Sequence, residues 1–115
     1  EGRVELVFHD MYRNMKSVID KYPKVTELVY DTLRDMGVEP ICESSRGGYD
    51  GCTITLNGLP CPNIGCSMYN CHGCKEFSVI QEMEKVIDMI TQMVKRAADM
   101  SREDFYRSGQ AHTEE

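Results

Sequence analysis

The chain has 115 residues, of which 41% are hydrophobic and 28% are charged, a mixture typical of one folded domain rather than a disordered chain. Acidic residues outnumber basic ones by 19 to 13, and the net charge of −6 argues against partners such as nucleic acid or anionic membrane. No apolar run approaches the roughly 20 residues that span a bilayer, so we expect no membrane-spanning segment.

The first predicted element is a strand over residues 3–9. Apolar and polar side chains alternate there, which is typical of a strand with one solvated face; the apolar side chains are Val4, Leu6 and Phe8. Residues 14–20 predict a short helix, which Pro23 limits because proline is poorly tolerated inside helices. Because the chain begins with Glu1 rather than Met, we expect a processed or partial form of a longer chain.

Apolar residues then recur at helical spacing and predict a helix over residues 24–36. Gly37 follows it and is expected to end the helix in a left-handed conformation, which costs glycine little. Residues 38–43 predict a short strand, which Pro40 places at the edge of a sheet.

Residues 44–75 hold most of the glycines and five of the six cysteines. Within this stretch, residues 52–57 are compatible with a short helix or with a strand, and Asp50 is a candidate helix cap. A turn over residues 58–62 leads to a predicted short strand over residues 63–66.

The last predicted helix is long and begins at a capping box formed by Ser78 and Gln81. An apolar stripe then continues for more than five turns, as far as Ala97. Residues 101–115 read as a polar tail, frayed from residue 108 onward. The alternation of elements predicts an α/β fold in which helices cover a layered, mostly parallel sheet, with a long C-terminal helix.

The cysteine cluster is the first candidate site, with thiols at Cys61, Cys66, Cys71 and Cys74. Thiolates are good zinc or iron–sulfur ligands, although this spacing matches no standard pattern. The last pair also resembles a redox C-x-x-C motif, and the simplest alternative is that the cysteines fill small apolar sites. Since the chain opens with no secretory leader, we expect mostly reduced thiols and a cytoplasmic location.

Two further residues are candidates for binding. His72 lies in a glycine-rich loop, and a neutral imidazole is a common metal ligand. Arg46 precedes Gly47 and Gly48, where the backbone is free to approach a ligand and a guanidinium is suited to clamp a carboxylate. The alternative for both is an ordinary polar surface residue.

Three motifs occur in register along the chain, RGGYDG at 46–51, NGLPCPN at 57–63 and YNCHGCKEF at 69–77, followed by MEK at 83–85 on the last helix. This pattern resembles the C-terminal part of the peptidase T family, the tripeptide aminopeptidases of the co-catalytic zinc exopeptidase superfamily. The resemblance covers about residues 4–100. Family members carry RGGTDG, GLPCPN and YNxHGKHEF in the same order.

The resemblance implies a two-zinc centre in the intact enzyme, with His72 supplying one ligand. It also implies that Arg46, Gly47 and Gly48 border the substrate pocket. Residues 1–13 would be the last strand of a lid or dimerisation domain, residues 14–100 the closing part of the α/β catalytic domain, and residues 101–115 a polar tail.

The chain departs from the family pattern at Tyr49, where the family has Thr, at Cys74, where it has Lys, and at Lys75, where it has His. The sequence contains no H-x-D motif, and the resemblance places the other metal ligands and the catalytic glutamate in the N-terminal half of the family. No catalytic residue is therefore assigned, and this chain alone is expected to be inactive.

The leading hypothesis is therefore a fragment of a zinc aminopeptidase, with short peptides and the N-terminal part of the same enzyme as partners. If residues 3–9 lack sheet partners, their exposed edge favours pairing with a second copy of the chain. The alternatives are a small non-enzymatic domain whose cysteines hold a structural metal, and a binding-only relative of the peptidase.

Overall fold

The computed structural model describes residues 2–107 of the chain. In this part the fold is a set of helices with one small hairpin sheet inserted before the longest helix. The elements in chain order are α1 (Lys16–Ile19), α2 (Pro23–Asp35), α3 (Asp50–Leu56), β1 (Met68–Tyr69), β2 (Phe77–Ser78), α4 (Ile80–Ala98) and α5 (Arg102–Arg107).

Helix α2 forms where the helical spacing predicts it, over nearly the same residues as the predicted 24–36. Pro23 occupies the first helical position, where its missing N–H costs nothing and its ring fixes a helical φ. Gly37 follows with a φ of 73°, and the Val38 N–H donates to the Leu33 carbonyl at 2.9 Å. This bond closes the helix in the Schellman arrangement, which requires the left-handed conformation that glycine tolerates.

Residues 52–57, compatible with either a helix or a strand by sequence, fold mainly as helix α3. One face of this helix is buried, and it consists of Gly51, Cys52 and Thr55. Asp50 is the first residue of the helix rather than its cap, so its carboxylate lies in the first turn, where the helix dipole favours negative charge.

Helix α4 packs along α2, and the buried residues of the domain lie mainly at the contacts between its helices. Met89 of α4 is 4% exposed, and Val29 and Thr32 of α2 are also buried. Arg96 of α4 forms an ion pair with Asp35 at the end of α2. The α4 region is therefore the long helix that the apolar stripe indicates, although α5 follows it.

The predicted capping box at Ser78 is wrong. Ser78 lies in strand β2, and the residue at the cap position of α4 is Val79, which makes no side-chain capping bond. Instead, the hydroxyl of Ser67 accepts the Val79 N–H at 3.1 Å and lies 2.9 Å from the carboxylate of Glu82 in the first turn. A residue twelve positions earlier in the sequence thus satisfies the backbone N–H at the start of the helix.

The predicted layered sheet is absent from residues 2–107. The sheet of this region is a two-stranded antiparallel hairpin, in which Met68 pairs with Ser78 and Tyr69 with Phe77. Residues 3–9, 38–43 and 63–66 form no strand, contrary to the prediction. A strand needs a neighbour to satisfy its backbone N–H and C=O groups, and no described segment pairs with these residues.

Part of the predicted polar tail is helical, because α5 covers residues 102–107. The Ser101 hydroxyl accepts the Asp104 N–H at 3.2 Å, while the Asp104 carboxylate accepts the Ser101 N–H at 2.8 Å, which is a reciprocal capping arrangement. The predicted fraying over 108–115 lies outside the described residues. No helix within residues 2–107 has the length and apolar character needed to cross a membrane.

The surface of the molecule is unusually large. The accessible area is 9914 Å² for a chain of 13.1 kDa, whereas a folded monomer of that mass exposes about 6,400 Å². The Cα radius of gyration is 18.0 Å, compared with about 13 Å for a compact chain of this length. Large hydrophobic side chains among the described residues are exposed, including Val4 (91%), Phe8 (83%) and Ile41 (78%).

Candidate functional site

The loop that carries Arg46 is open on one side and closed on the other. The Arg46 side chain is exposed and makes no hydrogen bond or ion pair with the rest of residues 2–107, so its guanidinium is available to an outside carboxylate. The ring of Tyr12 lies directly against Gly48, so closely that a Cβ at this position would collide with it. Within the loop, the Gly47 N–H donates to the Ser45 hydroxyl at 3.2 Å.

The motifs at 46–51 and 57–63 are brought into direct contact. A Cβ built on Gly51 would lie 2.6 Å from Oδ1 of Asn63 and 2.7 Å from the carbonyl oxygen of Cys61. The hydroxyl of Thr55, which is 1% exposed, accepts the Cys61 N–H at 2.9 Å. Helix α3 and the turn after it therefore form one packed unit.

His72 lies in the loop of the β1–β2 hairpin, with its side chain exposed to solvent. Its φ is 65°, and the φ of Asn70 is 55°, both in the left-handed region that non-glycine residues rarely adopt. The His72 N–H donates to the carboxylate of Glu76 at 2.7 Å, and the Gly73 N–H donates to the Asn70 carbonyl at 2.9 Å. These bonds fix the backbone from which the imidazole projects.

The hairpin is anchored to helix α4. The rings of Tyr69 and Phe77 stack with their centroids 4.9 Å apart, and the Tyr69 hydroxyl donates to the Glu82 carboxylate at 2.7 Å. This hydrogen bond, more than burial, raises the pKa of the Tyr69 phenol above its ordinary value. The contact ties the loop of His72 to the first turn of α4.

The cysteines do not assemble into a metal site. All six thiols are free; Cys66, Cys71 and Cys74 are exposed, while Cys61 is half-buried at the contact with α3. No group of three or more His, Cys, Asp or Glu side chains in the described part of the chain is arranged to hold a metal ion. His72 is thus one candidate ligand without a second and third beside it.

A groove of about 210 Å³ runs between α2 and α4, and neither His72 nor Arg46 lines it. Its lining is mostly apolar and includes Leu33, Met36, Val38, Ile64 and Met89. Glu82 and Lys85 also line the groove, and the Glu82 carboxylate already accepts hydrogen bonds from the hydroxyls of Ser67 and Tyr69.

The sequence motifs by themselves indicate no role for Tyr12, Thr55 or Glu76. A carboxylate four residues after a loop histidine is a visible signal for the Glu76 contact. The contacts of Tyr12 with Gly48 and of Thr55 with Cys61 join segments that lie apart in sequence, and no local pattern marks them.

Curated proteins that are similar to this chain carry the name peptidase T. The chain is 42% identical over 98 residues to peptidase T of Vibrio atlanticus, 37% over 102 residues to that of Aliivibrio fischeri, and 42% over 96 residues to that of Streptococcus thermophilus. These matches cover 84–89% of the chain and 24–25% of the relatives. The chain corresponds to a C-terminal portion of peptidase T. No family model matches it.

The chain spans about a quarter of the length of the curated peptidase T relatives that it matches. Its packed unit of α3 and the following turn carries the first two peptidase T-like motifs, and its hairpin carries the third. The first two motifs touch each other. Within residues 2–107, no hydrogen bond or ion pair joins Arg46 to His72.

Proposed function

We propose that this chain supplies part of the active site of a zinc-dependent aminopeptidase that removes the N-terminal residue from short peptides. The observation that carries the proposal is that three peptidase T-like motifs occur in register in this chain. The chain is 37–42% identical to the peptidase T relatives over most of its own length. The N-terminal portion of the same enzyme is the partner that would complete the centre.

In this proposal His72 donates one zinc ligand. Its exposed imidazole and its fixed backbone suit that role, but the described residues alone do not form a zinc centre. Zinc, when bound, acts as a Lewis acid and activates water for hydrolysis near neutral pH. The carboxylate of Glu76 accepts the His72 N–H and restrains the loop backbone, so it would orient this ligand.

Arg46, Gly47 and Gly48 would form the border of the peptide pocket. The unpaired, exposed guanidinium of Arg46 is suited to a two-pronged contact with a peptide carboxylate. Gly47 and Gly48 present backbone without side chains, and Tyr12 closes the opposite side of Gly48. Tyr49 adds a ring at the next position, where its hydroxyl accepts a hydrogen bond from the Ser45 hydroxyl at 2.8 Å.

Two further properties belong to the same proposal. A cytoplasmic location is supported by six cysteines that form no disulfide in the structure. A homodimer is supported by the exposed apolar residues Val4, Leu6 and Phe8, which lie in the segment assigned to the lid or dimerisation domain.

The test is a chimera in which this chain replaces the matched 98 residues of Vibrio atlanticus peptidase T. Zinc content and tripeptide hydrolysis are measured for the chimera and for two variants, His72→Ala and the control His9→Ala, both at exposed histidines. We expect His72→Ala to lose one zinc ion and most turnover, and His9→Ala to retain both. Full activity and zinc content in His72→Ala would remove His72 from the metal centre.

The role of Arg46 is tested in the same chimera. Arg46→Ala should mainly raise KM, because the guanidinium binds the peptide equally in the ground and transition states. Arg46→Lys keeps the charge but loses the planar guanidinium fork, so its KM should lie between those of the unmutated chimera and Arg46→Ala. Unchanged kcat and KM in Arg46→Ala would place the residue outside the pocket.

A further inference from the structure

Helix α4 has a wider apolar surface than α2 covers. Its buried Met89 and half-buried Val86 face the groove shared with α2. A second apolar stripe runs beside them and is open to solvent, formed by Ile80 (70% exposed), Met83 (46%), Ile87 (63%), Ile90 (44%) and Val94 (64%). These five residues are called the open stripe below.

The open stripe is continuous. Its members are spaced alternately by three and four residues, and side chains at those spacings lie above one another on one side of a helix. The stripe runs from the first turn of α4 nearly to its last, and exposed charged residues, among them Glu84, Asp88 and Lys95, border it on one flank. Isolated exposed apolar residues are ordinary, whereas a continuous patch bordered by charge marks an interaction surface.

The size of the uncovered surface indicates what kind of partner covers it. The chain exposes 9914 Å², about 3,500 Å² more than a folded monomer of its mass. This excess belongs to the whole chain, and the open stripe is one part of it. Large apolar side chains are also exposed elsewhere among the described residues, including Leu6 (73%), Phe8 (83%) and Ile41 (78%). A partner that covers the stripe together with such residues is larger than a short peptide, and a domain core that lacks its other half has a surface of this kind.

A second copy of the chain is less well matched to the open stripe. The stripe covers about two heptads, and three to four heptads are the usual minimum for recognising a coiled coil. The curated relatives, by contrast, are about four times as long as the region that this chain matches.

We infer that the open stripe of α4 is the surface on which the portion of peptidase T not matched by this chain docks, through an apolar face of its own. The inference rests on the proposed function, because it takes the rest of that enzyme as the partner. Its test uses no activity measurement.

The test uses methionine oxidation as a footprint of the stripe. Met83 is 46% exposed and lies on the open stripe, whereas Met89 is 4% exposed and lies against α2. The free chain and the Vibrio atlanticus chimera are treated with dilute hydrogen peroxide, and sulfoxide at each methionine is followed by mass spectrometry. Docking should slow Met83 oxidation in the chimera by about ten-fold or more, because a covered thioether is shielded from the oxidant. Met89 should stay slow in both.

Matched variants locate the effect on the stripe. Ile87→Glu places a charge on the stripe, whereas Gln81→Glu adds the same charge at an exposed position on the charged flank of α4, away from the stripe. In the chimera, Ile87→Glu should return Met83 oxidation close to the free-chain rate, and Gln81→Glu should leave Met83 protected.

Three results would overturn the inference. The first is oxidation of Met83 in the chimera within about two-fold of the free chain, since a covered thioether oxidises slowly. The second is protection of Met83 in the free chain that grows with its concentration, which would assign the stripe to a second copy. The third is rapid oxidation of Met89 in the chimera, which would mean that this chain does not substitute for the matched residues of peptidase T.

The inference and the proposed function fail separately. A chimera that protects Met83 but cleaves no peptide would retain the docking surface and overturn the peptidase proposal. A chimera that cleaves peptides while Met83 remains reactive would support the peptidase proposal and overturn the docking surface.

Discussion

Replacing Thr55 by valine tests whether a single buried hydroxyl holds two of the motifs together. Thr55 is 1% exposed, and its hydroxyl accepts the Cys61 N–H at 2.9 Å while lying 3.5 Å from the sulfur of Met15. Valine has nearly the same shape as threonine but has no oxygen. The substitution therefore leaves packing nearly unchanged and deprives the backbone of Cys61 of its acceptor.

The size of the effect follows from that lost acceptor. Leaving a buried N–H unsatisfied costs about 1–3 kcal/mol, a large share of the roughly 5–15 kcal/mol that stabilises a typical domain. Since Cys61 is half-buried, we expect Thr55→Val to fall toward the lower end of that range. The measurement is urea unfolding followed by far-ultraviolet circular dichroism, in which the midpoint should fall with an unchanged slope.

Thr32→Val is the matched control. Thr32 is also fully buried, at 0% exposed, but its hydroxyl donates to the Leu28 carbonyl at 2.7 Å inside its own helix. That carbonyl also accepts the helical N–H, so removing the hydroxyl leaves no group unsatisfied. Thr32→Val should lower stability by less than Thr55→Val does. Equal midpoints for wild type and Thr55→Val, or a larger loss for Thr32→Val, would refute the reasoning.

Three more predictions follow from the same structure. Gly51→Ala should lower the free energy of unfolding by about 1–3 kcal/mol through overpacking, because its Cβ would lie 2.6 Å from Asn63. Gly47→Ala has no neighbour nearer than 3.9 Å and should be nearly neutral in the same urea assay. Gly37→Ala should cost roughly 1–2 kcal/mol, measured in the same way, because of the φ of 73° at that position. The raised pKa of Tyr69 stabilises the fold below its ordinary pKa of 10.0, and this stability is lost as pH rises through the higher folded value. Thermal unfolding of Tyr69→Phe should therefore start lower and lose less between about pH 8 and 11 than wild type; parallel curves would contradict this.

Local signals in the sequence were enough for the two long helices. The apolar spacing of α2 and the glycine after its end are local, so they predict the helix and its end without knowledge of the rest of the fold. The apolar spacing in α4 is equally local. The correspondence with peptidase T was also visible in the sequence, because its three motifs are short and contiguous.

The candidate site was predicted only as a set of residues. Their types and motifs indicated Arg46 and His72, but nothing in the sequence placed Tyr12 against Gly48. Nor did the cysteine spacing show that the four clustered thiols, all within the described residues, form no metal-binding group. Which residues of a site touch is decided by packing between segments that are distant in sequence.

The strands were decided by tertiary structure alone. Residues 3–9 alternate as a strand should, but alternation creates no hydrogen-bonding partner, and no described segment pairs with them. The cap of α4 shows the same dependence, since Ser67, and not the adjacent Ser78, satisfies its first N–H. A helix satisfies its own backbone from within, and its sequence can therefore specify it. A strand, a distant cap and a binding site need groups that only the folded chain brings near.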